Sequence, residues 1–342
     1  MGAMTPGISY VAADAGDTLP VIDITHPAFA VTLSVVELTT LAKQFVSEAK
    51  SRQRIPFLFF FDRLVLRYLL RRSKIGQGLL AASGTYLSGL HTYRLKLGPD
   101  NLGAHANAMD RRIVTSVTAT ATRLRLHDVA RLLADGVAPV LAARPNRPVL
   151  FINIAGGPAA DSWNAAIVLQ TEHHAALADR HPVIAVLDLD DDGPAFGSRA
   201  VAALTAPGGR LAGLGIDFRT FKYDWRAADT LAQVLEQLRA KDAICAISSE
   251  GGLFEYGSDE EIAANLRTLH EGTPPEAILA GSVTRDDEPA RLAHAIGRPA
   301  TRLRKLDAFR RLVRKARWID DQAIGRPFSF NVRLVKDKGA SA

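Results

Sequence analysis

At 342 residues, with 47% hydrophobic and 23% charged side chains, the chain has the make-up of a globular protein large enough for one or two cores. A single cysteine, Cys245, excludes a disulfide framework and a cysteine-based zinc cluster. The net charge of +6 is uneven, with 18 Lys and Arg against 10 Asp and Glu in residues 1–147 but 24 against 26 in residues 148–342.

The first half reads as helical. Apolar residues recur at three- and four-residue spacing from Val35 through Val46, and residues 63–72 and 111–122 suit helices too. Another helix is predicted over His127–Ala134, closed by Gly136. The run Ile55–Phe61 is very apolar but too short to span a bilayer, so a buried helix or strand is expected there. The basic residues are scattered apart from Arg71, Arg72 and Lys74, which points to a solvated helix surface rather than to nucleic-acid binding. No N-terminal signal pattern stands out. A cytoplasmic protein without membrane association is the expectation.

The texture changes after Ala143-Arg-Pro-Asn-Arg-Pro148. Strand-like runs at 149–154, 183–189, 216–221, 243–248 and 277–283 alternate with helical segments near 161–179, 195–206, 227–240, 258–270 and 304–316. Such alternation implies right-handed crossovers and an α/β fold with a doubly wound, mostly parallel sheet. Residues 328–335 are expected to add an antiparallel edge strand. The boundaries are set at 1–147 for a helical N-terminal domain and 148–342 for the α/β domain.

Ligands of open α/β sheets bind outside the strand carboxyl ends. There the first strand runs into a small-residue turn, Ala155, Gly156, Gly157 and Pro158, followed by Asp161 and Ser162 at a helix start. The dinucleotide pattern G-x-G-x-x-G is absent. The second strand ends in Asp188 and Asp190, and the third leads into Tyr223, Asp224 and Trp225. The fourth ends in Ser248, Ser249 and Glu250, with Glu255 and Tyr256 close behind. Neither metal-ligand spacing nor a G-x-S-x-G nucleophile elbow occurs, so no metal site is expected.

This order of features resembles the class I S-adenosylmethionine-dependent methyltransferases, in the small-molecule type that carries a helical N-terminal region. The resemblance spans about residues 148–336. Asn153 stands where the family has an acid before its turn, and Ala155, Gly157 and Ala159 take the places of G-x-G-x-G. Since alanine is comfortable only at negative φ, the turn is expected to be shaped accordingly. The resemblance implies S-adenosylmethionine as cofactor, held by Asn153, the 155–158 turn, Asp161, Ser162, Asp188 with Asp190 in reserve, Tyr223, Asp224, Trp225, Ser248 and Ser249. Capping explains Asp161 and Ser162 equally well.

The family's histidine after the fourth or fifth strand is missing from 243–269. That leaves His91, Glu250 and Glu255 as candidate catalytic groups, with Tyr86, Tyr93, Arg94 and Tyr256 near the substrate. The implied reaction is in-line methyl transfer to a small-molecule acceptor such as a specialised metabolite. The helical region would form a lid over it, with a homodimer surface as a further role. Three alternatives stand beside this reading: a non-catalytic or repurposed cofactor-binding protein, an NAD(P)-dependent oxidoreductase and, last, an RNA methyltransferase.

Overall fold

The structure, a computed structural model, describes residues 5–13, 16–53, 67–82, 85–103, 106–173 and 176–337. The apolar run 55–61 and the start of the expected 63–72 helix lie outside the described residues. Seven strands form one sheet in the order β5-β4-β3-β6-β7-β9-β8. They are β3 (Val149–Ile154), β4 (Val183–Asp188), β5 (Asp217–Lys222), β6 (Ile244–Ser249), β7 (Ile278–Thr284), β8 (Trp318–Arg326) and β9 (Ser329–Lys336). The first five pair in parallel. β9 runs antiparallel to both β7 and β8. The chain therefore reverses direction around β3, and the crevice at that switch point opens above β3, β4 and β6.

Alternation along the strands divides the core. Val149, Phe151, Ile184 and Val186 face the helices Val117–Ala143, Ala160–Glu172 and Asp192–Thr205. Leu150, Ile152, Ala185 and Leu187 face Ala228–Gln237, Asp259–Gly272 and Leu306–Lys315. With both faces covered, the central strands read as unbroken apolar runs, which is why their positions are recoverable from sequence.

Two expectations fail. β9 is not an edge strand, because β8 lies outside it; β8 (WIDDQAIGR) is half polar along a solvent edge and carries no apolar run to betray it. The segments 111–122 and 127–134 are not two helices closed at Gly136. A helix ends at Val114, and Ser116 caps a second that runs unbroken from Val117 to Ala143. Gly136 is a place of close approach rather than a stop: a Cβ there would lie 2.8 Å from Arg333 and 2.9 Å from Ile278, so its absence lets the helix lie flat on β7 and β9. The N-terminal residues form a hairpin of β1 (Tyr10–Ala12) and β2 (Thr18–Pro20) and then a strap across helix 160–172. Trp163 Nε1 donates to the Ile22 carbonyl at 2.9 Å, and Asn164 Oδ1 accepts from the Ile24 N–H at 2.8 Å.

Candidate functional site

The turn after β3 has left-handed backbone at alternate residues: Ala155 (φ 54°), Gly157 (φ 60°) and Ala159 (φ 62°). These are the three positions of the small-residue pattern. The expectation that the two alanines avoid positive φ is wrong; each takes it at a cost of about 1–2 kcal/mol. Surrounding contacts hold them there. Asn153 accepts the Gly156 N–H at 3.0 Å through Oδ1, while its Nδ2 donates to Asp161 at 2.7 Å and Ser248 at 3.0 Å. Ala155 N–H donates to the Leu187 carbonyl at 2.8 Å. Two further glycines close on the turn, since a Cβ on Gly89 or Gly193 would lie 2.4 or 2.9 Å from the Cα of Gly157.

A cleft of about 320 Å³ opens above this turn. Asp188 forms one wall, accepting N–H groups from Gly157 at 2.9 Å and Asp190 at 2.8 Å. Burial raises its pKa against those two bonds. The Oδ2 of Asp190, also on the cleft, is buried and has no hydrogen-bond partner among the described residues. At the end of β5, the carboxylate of Asp224 is gripped by Arg226 at 2.9 Å and held below its ordinary pKa by that hydrogen bond. Trp225, Tyr86 and Tyr256 form an aromatic lip; the Tyr86 ring meets Trp225 at 5.5 Å and Tyr256 at 5.0 Å, both edge-on.

One end of the cleft is a buried charge cluster. Glu250 binds both Lys96 and Arg125, and Arg125 Nη1 reaches both oxygens of Glu255 at 2.8 and 3.0 Å. Ser282 Oγ donates to Glu255 at 2.9 Å. Against a large burial penalty, the positive charges of Lys96 and Arg125 keep Glu250 below its ordinary pKa. Lys96 and Glu250 face the cleft, whereas Arg125 and Glu255 face a second cavity of about 400 Å³. Both predicted catalytic carboxylates are therefore engaged by cations. Lys96 and Arg125 carry no local signal in the sequence, because their partners lie 154 and 125 residues away.

The other predicted residues divide. Ala155, Gly156, Gly157, Asp188, Asp190, Tyr223, Asp224, Trp225, Tyr86 and Tyr256 all line the cleft. Tyr223 does so as a buried wall, with its hydroxyl bound to Asn265. Asn153, Asp161, Ser162, Ser248 and Ser249 lie fully buried beneath it and shape the floor. Pro158 sits inside the turn. Ser249 accepts the Leu253 N–H at 2.9 Å, at the start of the short helix Leu253–Tyr256. Asp161 has its pKa pushed up to about 6, chiefly by burial, and its Oδ2 lacks a hydrogen-bond partner among the described residues.

Three residues of the helical region do not reach the cleft. His91 bonds to Ser88 at 2.8 Å and packs on Gly78, where a Cβ would sit 1.9 Å from the ring. Tyr93 is buried, donating to the Pro20 carbonyl and accepting from the Ile22 N–H, both at 2.8 Å. Arg94 pairs with Asp17. All three hold the N-terminal hairpin and neighbouring helices together. Among the described residues no group of three or more His, Cys, Asp or Glu could hold a metal, and no helix is long and apolar enough to cross a membrane.

The turn suits some ligands better than others. Pro158 has no N–H, and those of Gly156 and Gly157 are spent on Asn153 and Asp188. A pyrophosphate would find few donors and two nearby carboxylates, Asp161 and Asp188. A nucleoside with hydroxyls to donate to Asp188 and the unpartnered Asp190 Oδ2 fits better, as does positive charge near these acids.

No family model matches the chain, and no curated protein matches it in sequence. Among solved structures, a "possible exported protein" from Bordetella parapertussis superposes with a TM-score of 0.59 at 18% identity, covering 89% of this chain and 99% of that one. The overall fold is thus shared along almost the whole length. Weaker likenesses include the pyocyanin biosynthetic protein PhzM (TM-score 0.41, 14% identity, 67% of this chain and 59% of that one). The mitomycin 7-O-methyltransferase MmcR is similar at 0.40 and 12%, over 67% of this chain and 58% of its own.

Proposed function

We propose that the protein binds S-adenosylmethionine in the cleft above β3, β4 and β6 and transfers its methyl group to a small-molecule acceptor. The observation that carries this reading is the conjunction of the left-handed 155–159 turn with two acids at the end of β4, one of them holding an unpartnered buried oxygen. When bound, the cofactor supplies an electrophilic methyl on a sulfonium. Asp188 and Asp190 would receive the ribose hydroxyls. Asp224 would accept from the adenine amino group, with Trp225 against the ring. Gly156 and Gly157 would present backbone to the ligand, while the space of their missing Cβ atoms is taken by Asn153 and Gly89. Lys96 and Glu250 stand where the amino-acid end would lie. Such a site works by alignment, holding acceptor and methyl in line while the aromatic lip excludes water.

Calorimetric titration with S-adenosylmethionine, S-adenosylhomocysteine and NAD tests the reading. Micromolar binding of the sulfur compounds alone is expected. Asp188→Asn should weaken that binding by about 1–3 kcal/mol. NAD binding with silence from both sulfur compounds would replace the reading with the oxidoreductase one. A second reading, cofactor binding without turnover, is favoured by the ion pairs that engage Glu250 and Glu255, which leave neither free as a base. It predicts intact binding with no methylated product from any acceptor.

A further inference from the structure

The stretch Arg302–Arg317 holds eight Lys and Arg against one acid, Asp307. Charge totals conceal it, since acids outnumber Lys and Arg over residues 148–342 as a whole. Helix Leu306–Lys315 lies in its middle and buries Phe309, Leu312 and Val313 in the core beneath the sheet. Its solvent face carries Arg311, Arg314 and Lys315, and Arg317 is exposed just beyond its end. Ala308 is the one apolar side chain the helix exposes.

The acids of this part of the chain are engaged elsewhere. Asp307 and Asp320 hold Arg310, and Asp321 holds Arg333. Among the described residues, none of Arg311, Arg314, Lys315 and Arg317 forms an ion pair. Arg311 faces Arg314 and Lys315 at three- and four-residue spacing, where like charges destabilise a helix. The negative end of the helix favours Arg314 and Lys315 in its last turn, but not Arg311 before it or Arg317 after it. The patch is also remote from the cleft. Arg304 donates its N–H to Thr284 at the carboxyl end of β7, and the helix then runs back to Arg317, whose carbonyl accepts the Asp337 N–H. There β9 ends beside the amino end of β7, where Val335 pairs with Ile278.

We propose that this face binds the phosphate backbone of a nucleic-acid duplex without reading its sequence. Three of its four cations are arginines, whose planar fork fits two phosphate oxygens at once. A duplex strand carries a phosphate every 3.4 Å or so, about dense enough to meet all four cations together. The helix exposes no aromatic side chain on which unpaired bases would stack, and no amide to read a base edge. A protein interface is built around an apolar centre, and a membrane-bound helix inserts apolar side chains into lipid. Here those side chains, Phe309, Leu312 and Val313, are spent on the core.

The probe is a fluorescein-labelled DNA duplex of about 20 base pairs, titrated with the full chain by anisotropy between about 50 and 200 mM salt. Affinity should fall with salt at a log–log slope of about −4 and stay the same when the base sequence is scrambled. Arg311→Gln, Arg314→Gln and Lys315→Gln together should weaken binding by about tenfold or more at low salt and flatten the slope by about three. The same charge removed at scattered exposed positions, Arg71→Gln, Arg239→Gln and Arg298→Gln, should change affinity by less than about threefold. Unaltered thermal midpoints show that both triple variants fold. Equal weakening in the two would overturn the proposal, since net charge alone would then account for binding. A wild-type protein that leaves the duplex free at low salt would overturn it too. Binding to phosphatidylserine vesicles but not to the duplex would replace the partner with a membrane surface.

Discussion

The sheet and the helical region in front of it are ordered by different means. In the sheet, each strand carries its own instructions: β3 and β6 are buried along their whole length and read as continuous apolar runs. The helical region takes its order from distant partners. Helix Gly89–Lys96 contributes Tyr93 to the N-terminal strap and Lys96 to Glu250, and helix 117–143 sends Arg125 to both glutamates. The lesson is that the roof of the cleft is specified by a few buried polar contacts, whereas its floor is specified by pattern.

Breaking those contacts is the severest test of that contrast. Arg125→Met leaves two buried carboxylates with one cation between them and should cost about 3–5 kcal/mol. Hydrogen exchange should accelerate in residues 74–96 well before the strands respond; uniform acceleration would contradict the contrast. Next, Gly157→Ala sets a Cβ 2.5 Å from the Cα of Gly89 at positive φ, and should cost about 2–4 kcal/mol in chemical denaturation.

Asp161 sharpens the comparison from the floor. Its folded pKa is raised to about 6 from 3.8, so the native state holds a proton that the unfolded chain has released between those values. Stability from this group is therefore lost as pH rises from about 4 to about 6, by up to about 3 kcal/mol. In Asp161→Asn that loss should vanish, making the variant the more stable protein at neutral pH; parallel denaturation curves at both pH values check it. The smallest effect is Ala155→Gly, which relieves the left-handed strain and should raise stability by about 1 kcal/mol or less, read as a rise in thermal midpoint.

Legibility followed the same division. The five parallel strands and the alternate small residues of the turn are local signals, and they lie within a residue or so of where they were expected. β8 was hidden because an edge strand facing solvent needs no apolar run. Gly136 misled because close approach and helix termination use the same residue. Tyr93 and Arg94 sat beside glycines and a histidine in a stretch that looked like a pocket, yet their partners, Asp17, Pro20 and Ile22, belong to the hairpin and the strap that follows it. The wall of Lys96, Glu250, Arg125 and Glu255 was half visible, as two acids without their cations.

The meeting of Gly89, Gly157 and Gly193 has a consequence for how the cleft assembles. Three backbone segments, each from a different part of the chain, touch with no side chain between them. Two of the turn's left-handed residues are alanines, which do not favour that shape unaided. The turn is thus held from above as well as from below: helices 89–96 and 192–205 meet it backbone to backbone, so the floor of the cleft and its roof share one contact.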